Sequence, residues 1–308
     1  MATEVYRVLP LEANLRSNTR IEPRSVVTRL RQGQFVQRLA PSPAPPKGWW
    51  RVRADVQGTP VEGFIKAFLL EKAEHVPVPA PPPVLPTIPE AHLPAAGLVL
   101  LNQRGDGPRA YALTEKHAPR RAGTTPAERA AQLGAILAFL RVEQSARYAA
   151  GAGKTYCNIY AHDYCRLAGA YLPRVWWTRK ALVGLASGSA AQPAYGTTVQ
   201  ELNANSLYQW LEEFGPDFGW RRTVSATELQ EAANAGQVCL IVGQRKELNQ
   251  PGHICAVVPE TADHRATRAG STVTAPLQSQ AGASNFRYGG RVWWTGQQFG
   301  RFAFWVHA

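Results

Sequence analysis

Several common features are missing from this sequence, and each absence narrows what the protein can be. The 308 residues contain no run of eighteen apolar residues, so we predict no transmembrane segment. Residues 1–7 form no apolar signal segment. We therefore expect synthesis in the cytoplasm and, for any action elsewhere, release by lysis or by a specialised secretion apparatus.

Signatures of nucleic-acid binding are also lacking. The formal net charge is +12, which favours polyanionic partners, although solubility alone is a second explanation. The basic residues are spread along the chain, and no zinc-finger, helix-turn-helix or RNA-stacking signature accompanies them. Nucleic acid is thus not an expected partner, whereas an anionic wall polymer or anionic lipid is compatible with the charge.

Cysteine is scarce and lies only in the C-terminal half of the chain. The four cysteines sit in apolar or helical patterns, which predicts reduced thiols and no disulfide framework. They are Cys157, Cys165, Cys239 and Cys255. The spacing of His162 and Asp163 to Cys157 fits no zinc signature, so we expect no metal.

A nucleotide-binding loop is incomplete. Residues 151–155 resemble the end of a phosphate-binding loop, but Tyr148 occupies the position of its first glycine and no strand precedes it. We therefore expect neither nucleotide nor any other cofactor.

The N-terminal region has the pattern of a small all-β domain. Short β-rich runs alternate with turns through residues 4–74, which predicts a small barrel. The predicted strands are 5–9, 25–30, 34–39, 49–53 and 61–66.

Four short motifs in this region resemble bacterial SH3-like domains. They are the turn Asn14-Leu15-Arg16-Ser17, the turn at Gln32-Gly33, the strand Trp50-Arg51-Val52 and the run Gly63-Phe64-Ile65. The resemblance implies an SH3-like barrel over residues 1–74 that binds cell-wall peptide or glycan, or docks on a catalytic domain.

Residues 75–95 are rich in proline and show no periodicity. This composition predicts a semi-rigid spacer between two domains, with a role as a polyproline ligand as the alternative.

The sequence pattern of residues 96–308 predicts a second domain in which helices precede strands. A capping box with proline at the first helical position begins a helix at Thr125 that runs to about Tyr148. Further helices are expected at 201–214 and from Ser225 to about Gly236. Strands follow at 238–242, 254–258, 272–280, 291–294 and 302–307. This order indicates an α+β fold with helices packed on an antiparallel sheet.

One cysteine stands out because of its place at a helix start. Cys157 follows a glycine-rich run, and Thr155 is placed to cap the helix. The positive end of a helix favours a thiolate, and a thiolate needs a base. His253, behind a Pro-Gly turn at the start of an apolar strand, can supply that base.

Cysteine on a helix followed by histidine on a strand resembles the papain-like hydrolases, in particular the NlpC-type and CHAP-type cell-wall peptidases. The resemblance implies a papain-like domain in which Cys157 attacks an amide carbonyl, His253 transfers the proton and a polar residue orients the imidazole. CHAP-type enzymes place polar residues two apart on the next strand, so Gln280 is the expected third residue, with Gln278 as the alternative. The backbone amide of Cys157 would meet the oxyanion.

The sequence therefore predicts a peptidoglycan hydrolase that cleaves amide bonds in stem peptides, such as a phage lysin or a secreted antibacterial effector. Two alternatives stay open. In one, the chain is a wall-binding or phage structural module with an inert Cys157. In the other, it is a protease, deamidase or acyltransferase that acts on another protein. The oligomeric state is not predicted.

Overall fold

The computed structural model describes residues 4–39, 45–56, 59–73, 88–95, 97–103 and 110–308. The chain divides into two compact units, Met1–Val84 and Leu85–Ala308. Most of the predicted linker, residues 75–87, lies outside the described residues.

The first unit is one antiparallel sheet of seven strands in the order β3-β2-β6-β5-β4-β1-β7. The strands are β1 (Val5–Val8), β2 (Glu12–Arg16), β3 (Val26–Arg31), β4 (Phe35–Arg38), β5 (Trp49–Val56), β6 (Thr59–Lys66) and β7 (Leu70–Lys72). Strands β3 and β7 are its two edges and do not pair with each other within the described residues. The structure thus shows an antiparallel sheet whose ladder does not close into the predicted barrel.

Alternating burial explains why this sheet forms. On β2, Ala13 and Leu15 are buried and their neighbours face outward, which is the two-residue period of a strand. The predicted turn at residues 14–17 is therefore wrong, because most of it belongs to β2. Leu15, Leu30 and Ile65 are fully buried in the core of this unit.

The second unit contains five helices and ten strands among the described residues. The helices are α1 (Pro126–Leu140), α2 (Cys157–Leu167), α3 (Arg179–Ala186), α4 (Ala204–Glu213) and α5 (Ala226–Asn234). The strands are β8 (Val175–Trp177), β9 (Val199–Glu201), β10 (Trp220–Thr223), β11 (Val238–Arg245), β12 (His253–Val257), β13 (Thr267–Ala269), β14 (Thr272–Ala275), β15 (Gln278–Gln280), β16 (Phe286–Gly289) and β17 (Phe299–His307).

Six of these strands form an antiparallel sheet in the order β10-β17-β11-β12-β15-β16. Side chains from alternate positions of β12 enter two cores. Ile254 and Ala256 join the larger core with α1, α2 and α4, while Cys255 and Val257 join a smaller core with α5. The unit is therefore a mixed α and β structure with helices on both faces of an antiparallel sheet.

Capping residues and backbone conformation near the helix ends set where several helices begin and end. The predicted capping box at Thr125 and Glu128 is confirmed, with both reciprocal hydrogen bonds present. The helix ends earlier than predicted, because Arg141 adopts the left-handed conformation with φ 44°. At α5, Ser225 caps the helix as predicted, but Glu228 bonds to Thr223 and not to the backbone of Ser225.

Three predictions for the later elements are corrected. The predicted strand 291–294 is not a strand, and β16 lies just before it. The predicted strand 272–280 is two strands, β14 and β15, interrupted at Pro276. The predicted helix 201–214 begins only at Ala204, where the side chain of Asn203 caps it.

The end of the proline-rich region packs on the second unit. Ala91 is 1% exposed within its core, and the indole Nε1 of Trp177 donates to the carbonyl oxygen of Pro89 at 2.8 Å. The amide of Ala91 donates to the hydroxyl of Tyr171 at 2.8 Å. Residues 88–95 are thus part of the packing of this unit.

None of the helices among the described residues is both long and apolar enough to cross a membrane.

Candidate active site

A tight turn leads the chain into α2. The backbones of Gly151 and Lys154 exchange hydrogen bonds of 2.9 and 3.1 Å. Between them, Ala152 and Gly153 have φ values of 51° and 71°, as a two-residue turn of the mirror-image type requires. The stretch that resembles the end of a phosphate-binding loop is therefore a chain reversal.

The predicted cap of α2 is wrong. Its N-cap is Tyr156, not Thr155, and the Tyr156 side chain makes no capping hydrogen bond. Cys157 is consequently the first helical residue. The amides of a first helical turn have no intrahelical acceptor, so the N–H of Cys157 points out of the helix end without a partner inside it.

The environment of Cys157 favours its thiolate. The residue is 5% exposed. Burial raises the pKa of the thiol, but the hydrogen bond and charge of His253 and the backbone amides of Ile254 and Asn158 lower it by more. The net pKa is below its ordinary value, which makes Cys157 the candidate nucleophile.

His253 is the first residue of β12 and lies opposite Gly243 of β11. Gly252 before it has no room for a side chain. A Cβ there would lie 2.4 Å from Oδ1 of Asn205 and 2.7 Å from the carbonyl oxygen of Gly243. The close approach that glycine permits therefore delivers the histidine to its position.

Asn205 at the start of α4 holds the loop before His253. Its Nδ2 donates to the carbonyl oxygens of Leu248 at 3.1 Å and Gln250 at 2.8 Å, and its Oδ1 accepts from the amide of Arg245 at 3.0 Å. Both ends of the loop between β11 and β12 are thus tied to one buried amide. Sequence reasoning missed Asn205, since nothing in the sequence links it to that loop.

Gln280 contacts the imidazole of His253 through its side-chain amide. The Nε2 of His253 is 2.7 Å from Oε1 of Gln280, and Nε2 of Gln280 donates to the carbonyl oxygen of Ser284 at 3.1 Å. The second contact orients the amide, so its oxygen accepts a hydrogen bond from Nε2–H of His253. Nδ1 is then the nitrogen left for Cys157.

The charge state of His253 is coupled to the same partners. Burial lowers the pKa of the imidazole, but the hydrogen bond and charge of Cys157 and the hydrogen bond to Gln280 raise it by more. A thiol with a lowered pKa beside an imidazole with a raised pKa favours a thiolate and imidazolium pair.

Gln278 does not contact His253 but a tryptophan beside it. Its Oε1 accepts from Nε1 of Trp293 at 2.9 Å, and the ring of Trp293 stands edge-on to His253 with centroids 4.6 Å apart. The thiol of Cys255 also points at that oxygen, at 3.5 Å. Gln280 and Gln278 thus meet alternate residues of β12, His253 and Cys255. Trp293 was missed because its segment was predicted to be a strand.

The remaining candidates are structural. Cys165, Cys239 and Cys255 are fully buried, and burial raises the pKa of each thiol. The carboxylate of Asp163 accepts hydrogen bonds from Nε of Arg147 at 2.7 Å and from the hydroxyl of Tyr148 at 2.8 Å. All three side chains are buried in the core. Among the described residues no group of three or more His, Cys, Asp or Glu side chains could hold a metal ion.

Comparison with known proteins adds little to this geometry. No protein-family model matches the chain, and no curated protein matches it. One solved structure, NlpC2 from Trichomonas vaginalis, aligns over 96% of this chain and 74% of its own, with 11% identity and a TM-score of 0.19. A TM-score this low supports no argument about fold or function.

Proposed function

We propose that the second unit is a cysteine-dependent amidase or peptidase. The observation that carries the proposal is the alignment of three side chains, Cys157 of α2, His253 of β12 and Gln280 of β15, of which Cys157 and Gln280 are buried and His253 is half-buried. Thiol-based acyl transfer requires a nucleophile that is hydrogen-bonded to a base, and a third group that is hydrogen-bonded to the base and orients it.

The chemistry follows from the placement of the atoms. The thiolate of Cys157 attacks the amide carbonyl carbon, an S–C bond forms and the carbonyl electron pair moves to oxygen. The N–H of Cys157 at the helix start is aimed to stabilise that oxyanion. As the C–N bond breaks, Nδ1 of His253 gives its proton to the leaving nitrogen. Neutral His253 then takes a proton from water as that water attacks the thioester, which releases the acid and restores the thiolate.

Gln280 has a narrower role than a carboxylate would have. Its oxygen holds Nε2–H of His253 and so keeps Nδ1 directed at Cys157. A neutral amide does not stabilise the imidazolium by charge, so the stability of the ion pair depends on Cys157 and its backbone donors.

We propose further that the substrate is the stem peptide of peptidoglycan. The net charge of +12 suits an anionic wall polymer. In the first unit, the guanidinium of Arg38 lies 4.4 Å from the ring centre of Trp50, beside a cavity of about 250 Å³. An aromatic and cationic cavity suits a glycan or acidic peptide, which supports a wall-binding role for this SH3-like sequence. The proposed site of action is the cell wall, reached after lysis or specialised secretion.

Digestion of purified peptidoglycan, followed by mass spectrometry of the released fragments, tests this function. The wild type should create new amine and carboxyl ends, and Cys157→Ala should reduce their rate roughly 1,000-fold or more. Cys165→Ala removes a thiol from the same helix and should retain activity.

Two results would redirect the proposal. A folded wild type that binds several wall chemotypes but cleaves none would identify a binding module. Cleavage or acyl transfer on protein substrates, with intact wall peptides, would identify an enzyme of a different substrate class.

A further inference from the structure

The direction of proton transfer tells which wall of the Cys157 and His253 site meets the leaving group, if the proposed function holds. The scissile carbonyl must lie over Cys157 at the start of α2. The leaving nitrogen must lie within reach of Nδ1 of His253, which protonates it. The substrate segment on the amine side therefore runs along the residues that surround His253.

Two aromatic rings form that wall. Trp293 stands edge-on to His253, and its ring centre is 5.2 Å from that of Phe299. Gly243, opposite His253 on β11, makes room for both rings. A Cβ there would lie 2.8 Å from Cζ3 of Trp293 and 3.0 Å from Cδ1 of Phe299.

Arg291 is anchored to the same wall through its backbone. The buried amide of Gln278 donates from Nε2 to the carbonyl oxygen of Arg291 at 3.1 Å, while its Oε1 holds Trp293. One fully buried side chain thus fixes both residues. Arg291 itself is exposed at the surface.

The charge of Arg291 reaches the imidazole. Burial and the positive charge of Arg291 both act to lower the pKa of His253, against the larger effect of its hydrogen-bond partners and the charge of Cys157. Within the described part of the chain, the guanidinium of Arg291 has neither an ion-pair partner nor a hydrogen-bond acceptor.

A second arginine on this wall is already engaged. Arg245 donates from Nε to the carbonyl oxygen of Pro251 at 2.8 Å, and its guanidinium lies 5.1 Å from the ring centre of Phe299. Arg291 is thus the better placed of the two to receive an anion from outside.

We propose that Arg291 binds a carboxylate on the leaving-group side of the substrate, so that the enzyme selects amides whose amine product carries a free carboxylate next to the scissile bond. A guanidinium fork matches a carboxylate in geometry and charge. The ligand class is an amino acid or peptide with that carboxylate unmodified, and amidation of the carboxylate removes the match.

Two synthetic peptides test the proposal. They share one scissile amide and differ only in a carboxylate or carboxamide on the residue that provides the amine. The wild type should prefer the carboxylate peptide by roughly 10- to 100-fold in kcat/KM, chiefly through KM. Arg291→Gln should abolish the preference by weakening the carboxylate peptide alone, and Arg291→Lys should keep part of it.

Arg221→Gln is the matched control. Arg221 lies on β10, at the opposite edge of the six-stranded sheet from β16, and its loss removes the same charge. This variant should keep the preference of the wild type. Equal cleavage of both peptides by the wild type, or equal loss on both with Arg291→Gln, would overturn the proposal.

Binding measurements test the Arg291 site independently of the proposed catalytic chemistry. Calorimetry with the Cys157→Ala protein measures affinity for both peptides without turnover. A preference for the carboxylate peptide that disappears when Arg291→Gln is added supports the Arg291 site. If the wild type also cleaves neither peptide, that result counts against the proposed hydrolase and not against the Arg291 site. Equal affinity for both peptides removes the Arg291 site, whatever the wild type cleaves.

Discussion

Nε2 of His253 is hydrogen-bonded to Oε1 of Gln280 at 2.7 Å, and this contact leaves Nδ1 as the imidazole nitrogen for Cys157. Gln280 in turn is held by the carbonyl oxygen of Ser284 at 3.1 Å, so its amide has one favoured orientation. Orientation of the base therefore originates in a neutral residue at the end of β15. This arrangement makes the contribution of charge and that of orientation separable by substitution.

Gln280→Ala and Gln280→Glu distinguish these contributions. We expect Gln280→Ala to lower kcat/KM by roughly 10- to 100-fold, because the imidazole loses a hydrogen bond that orients it. Gln280→Glu keeps the acceptor and adds a negative charge, which raises the pKa of His253 further. The alkaline limb of the pH profile of kcat/KM, where imidazolium is lost, should move to higher pH. An unchanged profile in both variants would contradict an orienting role.

The pKa of Cys157 is lowered, so its reactivity should persist at pH values where an ordinary thiol is protonated. The rate of iodoacetamide alkylation, followed by peptide mass spectrometry, should stay high as pH falls through the ordinary thiol range and be lost only below the lowered pKa. His253→Ala removes the largest lowering influence and should shift the midpoint of alkylation to higher pH. Cys165, Cys239 and Cys255 serve as internal controls, because they should react only after unfolding.

Gly252→Ala should disturb the delivery of His253. The added Cβ would meet Oδ1 of Asn205 at 2.4 Å and the carbonyl oxygen of Gly243 at 2.7 Å, and one of these is backbone. We expect a loss of about 1–3 kcal/mol in the free energy of unfolding, measured with urea, together with lower activity. Gly134→Ala is the control, since an added Cβ there contacts nothing within 4 Å and should stabilise α1 by about 0.5–1 kcal/mol.

Asp163→Ala should destabilise the second unit strongly. The change leaves the guanidinium of Arg147, which is 1% exposed, without its carboxylate. Breaking a buried pair in this way costs about 3–5 kcal/mol. Replacing both residues by apolar ones, as Arg147→Met with Asp163→Leu, should recover much of that loss in urea unfolding. A double variant as unstable as Asp163→Ala would contradict this account.

Trp293→Phe keeps an aromatic edge against His253 but removes the N–H that Gln278 accepts. We expect activity to fall several-fold, because the buried oxygen of Gln278 loses its best donor and the ring loses its anchor. Trp293→Ala should reduce activity further. Equal activity in all three proteins would show that the ring does not position His253.

Local patterns in the sequence predicted the elements that depend on neighbours along the chain. The capping box at Thr125 starts α1. The predicted strands 238–242 and 254–258 correspond to β11 and to β12, which ends at Val257, because their side chains enter the two cores of the sheet. The pairing of Cys157 with His253 was also predicted, from a helix start and a strand start. Thr155 failed as a cap because the preceding turn places Tyr156 at the N-cap position.

What only the tertiary structure decided is how distant residues meet. The two glutamines of β15 have the same chemistry and face the same side. The register of β15 places Gln278 opposite Val257, and only side-chain packing brings Gln280 to His253 and Gln278 to Cys255. Asn205, Trp293 and Arg291 enter the site through contacts with segments far away in the chain. Periodicity and capping report local backbone preference, whereas the register between strands follows from the packing of the whole sheet. The sequence by itself therefore determined the residue types of the site, and the sheet decided their partners.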